Sequence, residues 1–235
     1  MKQNTVVIGL TGQTGAGKST VGESLLRRGA AWVDADLIAH DVADNEKVCL
    51  ADLALEFTID ILNVDGTLNR KKLADIVFHD KAKLRRLNEI IFPYIIRAIE
   101  AELARLRAEG HHYIVLDAPT LFESGCDRYC DVIISVVADE QLRLQRILGR
   151  DGLTHEEAEA RIQAQHRESY YVRRSDFVIE NNDTVDTLCL KVAEVMSRIE
   201  TGERPRQQRQ AEEAQQEARQ SLSQVDALAF ADAPF

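Results

Sequence analysis

The sequence predicts an α/β fold of three layers, with helices on both faces of a parallel sheet of five strands. Strand and helix patterns alternate along the chain, which is typical of parallel strands joined by helical crossovers. The pattern G-x-x-x-x-G-K-[ST] over residues 12–19 follows an apolar run and opens a helical segment. The 235 residues and 45% hydrophobic content suit one compact body with a small subdomain.

The predicted strands are short runs rich in apolar and β-branched residues, the composition of buried strands in a parallel sheet. They cover residues 5–10, 30–33, 113–116, 131–137 and 177–180. Two of them run directly into acidic residues, because the second is followed by Asp34-Ala35-Asp36 and the third by Asp117.

The predicted helices have apolar residues at helical spacing. They cover residues 18–28, 81–109, 139–149, 154–174 and 185–200. Residues 37–80 are also helical in pattern but broken, with a turn at 63–66. Pro93 should kink or divide the long helix 81–109, because it has no N–H to donate and its ring clashes with the preceding turn.

Residues 12–19, here called the P-loop, predict a site for a phosphate chain. The glycines let the backbone curl so that successive N–H groups point at the phosphates. The N-terminus of the following helix adds unpaired N–H groups and a positive dipole end. Lys18 supplies a charge for the β- and γ-phosphates, and the Ser19 hydroxyl can bind Mg²⁺. We therefore expect the chain to bind a nucleoside triphosphate.

Acidic residues are predicted at the carboxyl ends of two strands, where ligands of open parallel sheets bind. If the strand continues, Asp34 and Asp36 point in different directions. One of them can then accept the proton of an attacking hydroxyl, while the other approaches Mg²⁺-bound water or caps the next helix. Asp117 is a second candidate for Mg²⁺, although a short apolar run ending in Asp is common.

Arg143, Arg146 and Arg150 are spaced to share one face of a predicted helix. Such a stripe is usually a solvated face. Here it follows a strand that ends at the ligand-binding edge, so we expect at least one arginine to fold over the phosphates as part of a lid. Gly149 and Gly152 flank the following turn and would permit such a lid to move.

The composition narrows the cellular setting. A net charge of −10 argues against nucleic acid as a partner, because binding to duplexes relies on Lys and Arg contacts with phosphates. No apolar run reaches the ~18 residues of a membrane span, and Lys2 leads directly into a core strand without a secretory signal. The four cysteines have no metal-binding spacing, so we expect reduced thiols in a cytoplasmic protein.

The last part of the chain differs in character. From Thr201 to about Gln224 it is rich in Gln, Glu and Arg, so residues 201–235 are predicted to form a disordered polar tail. The mildly apolar residues 225–230 leave an alternative open, in which the tail docks on a partner.

Several segments in this order resemble the dephospho-coenzyme A kinase family, from residue 6 to about residue 197. They are residues 8–12, 15–20, 33–36, 65–70, 87–88 with Pro93, 119–123, Arg146 with Arg150-Asp151, Gln165, and 178–182. The P-loop is shared by many families, whereas Asp34-Ala35-Asp36, the Leu121-Phe122-Glu123 turn and the lid pattern are together more specific. The chain departs from the family at Phe92, where a histidine is common, and at Thr120, where a leucine is common.

The resemblance implies a P-loop NTPase fold like that of nucleoside monophosphate kinases. Its core would comprise residues 1–36, 111–138 and 175–200, with a helical CoA-binding part at about 37–110 and a lid at about 139–174. It also implies transfer of the ATP γ-phosphate to the ribose 3′-hydroxyl of dephospho-CoA, the last step of coenzyme A synthesis, with Mg²⁺ present.

The resemblance also implies residue roles. Asp36 becomes the favoured general base, with Lys18 and Arg146 steadying the phosphates. Nucleotide contacts are expected at Gly12, Gly15, Ala16, Gly17, Lys18, Ser19, Thr20, Arg150 and Asn182. Contacts with the acceptor are expected at Asp34, Arg70, Pro119, Leu121 and Glu123. The P-loop pattern separately predicts Mg²⁺ at Ser19, with Asp117 as a second candidate.

Two alternatives stay open on the sequence alone. One is another small-molecule P-loop kinase with a nucleoside or shikimate-like acceptor, and residues 60–110 would shape its different pocket. The other is a regulatory protein that binds ATP without phosphorylating a metabolite, for which the tail is the best support. A GTPase is disfavoured, because Asn181-Asn182-Asp183 lacks the lysine of a guanine-specifying segment.

Overall fold

The computed structural model describes residues 5–77 and 80–206. Within them, five strands form one sheet in the order β2-β3-β1-β4-β5, and every pair of neighbours is parallel. The strands are β1 Val6–Gly12, β2 Ala31–Asp34, β3 Tyr113–Asp117, β4 Val132–Val137 and β5 Phe177–Glu180. The predicted parallel five-stranded sheet is confirmed, with β1 at its centre.

The helices of the described residues connect these strands. They are α1 Lys18–Arg27, α2 Ala35–Asn45, α3 Lys47–Phe57, α4 Arg70–Val77, α5 Lys81–Ala108, α6 Glu140–Asp151, α7 His155–Gln163, α8 Glu168–Arg174 and α9 Val185–Glu200. The single helix predicted over 154–174 is wrong, because the chain breaks between α7 and α8. The break follows from the extended backbone of Arg167, at ψ 156°, which starts a new helix.

Helices cover both faces of the sheet, which confirms the three layers. Ile8 and Leu10 of β1 face the core shared with α1 and α9, whereas Val7 faces the core shared with α5. Because side chains alternate along a strand, this pattern puts β1 between two hydrophobic clusters. β4 is buried along its whole length for the same reason.

A separate hydrophobic cluster lies between α2, α3, α4 and α5. This helical unit follows β2 in the chain and returns to the sheet through α5. The turn predicted at 63–66 is confirmed, since Gly66 N donates to Asn63 O at 3.0 Å. Pro93 does not divide α5, which is one helix of 28 residues, so that alternative is wrong. The helix tolerates the N–H donor that Pro93 lacks, because packing holds both halves of α5. Its first half packs against α2 and α3, and its second half packs against the sheet.

The chain beyond α9 contacts the edge of the sheet where the strands begin. Arg206 N donates to Asp176 Oδ1 at 2.6 Å, and its guanidinium donates to Cys130 O at 3.1 Å. The Asp176 side chain is fully buried and also accepts a hydrogen bond from Ile133 N at 2.8 Å. The first residues of the predicted tail therefore lie against the core. Residues 207–235 lie outside the described residues, and the prediction for them stays a prediction.

We expect Arg206→Ala to lower the free energy of unfolding by about 2–4 kcal/mol, because it removes the guanidinium beside the buried Asp176 carboxylate. Urea unfolding at neutral pH measures this change. The control is Arg27→Ala, which breaks an exposed pair with Glu23 and should cost less than about 0.5 kcal/mol. Equal effects of the two variants would contradict the structural role of Arg206.

Candidate active site

The P-loop needs glycine at two close approaches. Gly12 and Gly17 have φ angles of 147° and 95°, which L side chains rarely adopt. A Cβ at Gly12 would lie 2.2 Å from Val136 O of β4, and one at Gly17 would lie 2.2 Å from Asn181 Nδ2. The loop is thus pressed against β4 on one side and against the turn after β5 on the other.

Side chains from distant parts of the chain hold the outer side of the loop. Asn181 Nδ2 donates to Ala16 O at 2.8 Å, and Arg146 Nη2 donates to Asn181 O at 3.0 Å. Arg146 Nη1 also lies 3.4 Å from Gly15 O. These donors occupy carbonyl oxygens of the loop, and the N–H groups of Gln13, Thr14 and Ala16 are hydrogen-bonded within the protein. The unpaired N–H groups at the start of α1 therefore remain for an anion.

Gln165 connects the loop to the residues between α7 and α8. Its Oε1 accepts a hydrogen bond from Thr14 N at 2.7 Å. Gln165 was part of the family resemblance but was not among the predicted site residues. A glutamine in a helical pattern gives no local signal of such a contact, which depends on the helix break.

The three arginines of α6 have three different environments. Arg143 is only 5% exposed and donates from Nε to Ala138 O at 3.1 Å, and burial lowers its pKa. Arg146 contacts the P-loop as described above. Arg150 forms an ion pair with Asp151 at 2.6 Å. The alternative in which the three arginines form a fully solvated face is therefore wrong.

A cleft of about 250 Å³ lies over the P-loop. Besides loop residues, its walls include Pro119, Arg150, Arg161 and Gln165. Lys18, Arg150 and Arg161 give it three cationic side chains, which complement a polyphosphate. Arg161 was not predicted as a site residue, and its 2.7 Å pair with Asp151 joins α7 to the end of α6.

Lys18 and Asp117 form an ion pair at the floor of the cleft. The Asp117 carboxyl has a raised pKa, because burial disfavours its charge more than Lys18 favours it. Asp34 and Asp36 add like charge, and Asp34 stands opposite Asp117 in the register of β2 and β3. Lys18 thus pairs with a carboxylate whose charge is disfavoured by burial and by two further carboxylates.

The structure separates the two aspartates after β2. Asp34 is the N-cap of α2, since its Oδ1 accepts a hydrogen bond from Leu37 N at 2.9 Å. This outcome confirms the capping alternative for one member of the pair. Asp36 lies exposed in the first turn of α2, and its carboxylate has no hydrogen-bond partner among residues 5–77 and 80–206.

The residues expected near the acceptor have unequal exposure. Pro119 O accepts a hydrogen bond from Thr11 Oγ1 at 3.1 Å and lines the cleft. Leu121 is fully buried in the core, so it supports this turn from below. Glu123 lies 3.2 Å from His166 Nε2. Arg70 is half-exposed and pairs with Asp44 of α2 at 2.9 Å.

The turn after β5 also orients α6. Asn182 Oδ1 accepts a hydrogen bond from Asp139 N at 2.8 Å, directly before the first turn of α6. Thr20, another expected nucleotide contact, lies in the first turn of α1, where its N–H donates to Gly17 O at 3.1 Å. Both residues therefore flank the P-loop.

Within the described ranges, no cluster of three or more His, Cys, Asp or Glu side chains is placed to hold a metal ion. Mg²⁺ commonly binds through one or two carboxylates, waters and substrate phosphates, so Ser19 and Asp117 fit it without such a cluster. No helix in the same part of the chain is both long and apolar enough to span a membrane.

A family model and curated relatives both assign the chain to the same family. A family model described as dephospho-CoA kinase matches residues 6–187. The chain is 36% identical to the dephospho-CoA kinase of Lactobacillus johnsonii over 195 residues, which cover 83% of this chain and 98% of the relative. It is 40% identical to that of Fusobacterium nucleatum over 187 residues, covering 80% and 95%.

Solved structures agree with this result. A crystal structure of a Thermus thermophilus protein is similar with a TM-score of 0.69 and 32% identity, covering 83% of this chain and 97% of that one. A dephospho-CoA kinase from Campylobacter jejuni is similar with a TM-score of 0.64 and 28% identity, covering 83% and 98%.

We expect Gln165→Leu to raise the KM for ATP about tenfold, because Thr14 N–H loses its partner and the loop its support. Steady-state kinetics with varied ATP measure this change. Gln163→Leu is the matched control, since Gln163 is exposed at the end of α7 and should leave the KM unchanged. Equal KM values for both variants would show that Gln165 does not support the loop.

Proposed function

We propose that the P-loop cleft is the reaction site of this chain, which belongs to the dephospho-CoA kinase family. The family catalyses the final step of coenzyme A biosynthesis, and so does this chain. In this cleft the γ-phosphate of ATP meets the ribose 3′-hydroxyl of dephospho-CoA. The observation that carries the proposal is the cationic cleft over the P-loop, together with an exposed Asp36 whose charge acts on Asp117, the partner of Lys18. The family sets aside the regulatory and shikimate-like alternatives.

The P-loop would bind the phosphates through its backbone. Gly12, Gly15, Ala16 and Gly17 supply the curved chain, and Lys18, Ser19 and Thr20 supply the first turn of α1. Lys18 would leave Asp117 for the β- and γ-phosphates. Arg146 and Arg150 would add positive charge near the transferred group, where a fixed cation stabilises the transition state most. Asn182 would lie toward the adenine of ATP.

Asp36 is the proposed general base. Asp34 is engaged as the cap of α2, whereas the Asp36 carboxylate is exposed and unpaired within the described residues. The 3′-oxygen would attack the γ-phosphorus and form the new O–P bond, and its proton would pass to Asp36. The bond between the γ-phosphorus and the β,γ-bridging oxygen breaks, and ADP leaves.

The acceptor would lie between the helical unit and the turn after β3. The proposed contacts at this surface are Asp34, Arg70, Pro119 and Glu123, with Leu121 beneath them. The pairing of Arg70 with α2 supports this placement, because α2 also carries Asp36. Substrate binding and proton removal would thus involve the same helix.

Ser19 and Asp117 are the proposed ligands of Mg²⁺. When bound, the ion supplies charge neutralisation at the β- and γ-phosphates. The raised pKa of Asp117 supports the choice, since a buried carboxylate that loses Lys18 to the phosphates needs another cation.

We further propose a cytoplasmic enzyme that acts on small molecules, without nucleic acid or membrane partners. The net charge of −10 supports the exclusion of nucleic acid as a partner. The proposed domain organisation is the predicted one, with a core, a helical CoA-binding part at about 37–110 and a lid at about 139–174. A partner for the tail stays a prediction.

We expect Lys18→Ala to lower kcat by more than about 100-fold, because a full charge at the phosphates is lost. Coupled ADP release with Mg²⁺-ATP and dephospho-CoA measures turnover, and mass spectrometry locates the phosphate on the ribose. Arg27→Ala, at the exposed end of the same helix, is the control and should behave as wild type. Near-normal turnover of Lys18→Ala would refute its role.

We expect Asp36→Asn to lower kcat by about 100-fold or more while ATP still binds, because the base acts only in the chemical step. Asp34→Asn is the comparison variant, since asparagine also caps helices well and should preserve α2, so its effect should fall on the KM for dephospho-CoA rather than on kcat. Turnover and ATP titration of both variants measure the difference. A larger loss in Asp34→Asn would mean that the two roles are reversed.

A further inference from the structure

A second cleft of about 500 Å³ lies beside the P-loop. It is bounded by the start of α6, the end of α7 and the residues before α8. Gln13 and Gln165 line both this cleft and the phosphate cleft, so the two are neighbours. The proposed function assigns no role to this second cleft.

The side chains of His166, Tyr170 and Arg174 stack on one another and form an aromatic column, which ends at this cleft. The His166 ring stacks on the Tyr170 ring, with centroids 3.7 Å apart and planes 13° apart. The Arg174 guanidinium lies 4.0 Å from the same Tyr170 centroid. Two groups so close to one ring must occupy opposite faces, so both faces of Tyr170 are covered. His166 is the end of the column, and its side chain is 49% exposed.

The column is oriented toward the catalytic edge of the sheet. α8 leads through Asp176 into β5, and Asp176 contacts Ile133 N where β4 begins. The C-terminal end of α8 is therefore at the edge where the strands start. Its N-terminal end, with His166, is at the opposite edge, where the P-loop lies.

Glu123 fixes the edge of the His166 ring. Its Oε1 lies 3.2 Å from His166 Nε2, and Phe122 packs edge-on against Tyr170 at 5.8 Å. The turn expected to face the acceptor thus holds the end of the column in place. Because Tyr170 covers one face of His166, the other face remains for a flat ligand.

Two buried polar atoms belong to side chains that line the same cleft. Gln13 Oε1 and Arg143 Nη1 have no hydrogen-bond partner within the described residues, although each side chain is only 5% exposed. An unpaired buried polar group costs about 1–3 kcal/mol. One atom is an acceptor and the other a donor, so the side chains that line this cleft include one unused hydrogen-bond acceptor and one unused donor.

We propose that this cleft binds the adenine ring of dephospho-CoA, an inference that deepens the function proposed above and rests on it. Adenine is flat enough to stack on His166, and its 6-amino donor lies beside a ring-nitrogen acceptor. It is attached to the ribose that carries the reacting 3′-hydroxyl, so it must lie one sugar away from the phosphate cleft. Glu123 is then a positioning residue that holds His166.

Calorimetric titration of dephospho-CoA into the full-length protein tests the inference without turnover, so it does not depend on the role of Asp36 or Lys18. We expect His166→Ala to weaken dephospho-CoA binding about tenfold or more, because stacking on a base is lost. Binding of a non-hydrolysable ATP analogue should stay within about twofold of wild type, because only the acceptor base is affected. His166→Phe keeps an aromatic face and should retain most of the affinity. His155→Ala, in the exposed first turn of α7, should match wild type.

The wild-type protein should also bind a dephospho-CoA analogue with unsubstituted purine about three- to tenfold more weakly, because Gln13 Oε1 then lacks its donor. Unchanged affinity of His166→Ala for dephospho-CoA would overturn the inference. A loss confined to the ATP analogue would assign the cleft to the base of the phosphoryl donor. Equal losses in His166→Ala and His166→Phe would overturn stacking and leave only the contact with Glu123.

Discussion

The active site depends on how closely the P-loop backbone approaches β4 and the turn after β5. At Gly12 and Gly17 there is no room for a side chain, and Gln13 N donates to Val136 O at 3.1 Å. This contact sets the direction in which the chain leaves the central strand, and hence the position of Lys18. Because β1 lies between β3 and β4, it also brings Asp117 and the start of α6 to the same cleft. Core packing and phosphate recognition therefore share one constraint.

Charge around Lys18 connects the two substrates. In this structure the lysine neutralises Asp117, while Asp34 and Asp36 repel the same carboxylate. A polyphosphate that attracts Lys18 would leave three carboxylates with less compensation, and a divalent cation would restore the balance. In the proposed reaction, nucleotide, metal and base would thereby be electrostatically interdependent. The helix cap made by Asp34 keeps one of these acids in place while Asp36 stays available.

Much of the fold could be predicted because its signals are local. The limits of β5 and α9 coincide with the predicted ones, and the P-loop pattern predicted the loop over which the cationic cleft lies. The features that could not be predicted depend on contacts between residues far apart in the sequence. The helix break that brings Gln165 to Thr14, the burial of Arg143 and the continuity of α5 through Pro93 are set by packing partners far apart in the chain. Only the cap geometry could distinguish Asp34 from Asp36, since the two residues are equivalent in pattern.

The anchoring of Arg206 has a practical consequence. It fixes the chain at the edge where the strands begin, whereas the phosphate cleft lies at the edge where they end. The two edges are separated by the length of the strands, roughly 20 Å for six residues. A carrier, dye or solid support joined after this point would start on the opposite side of the molecule from the cleft. A support attached directly after Arg206 would accordingly leave the P-loop cleft facing the solution.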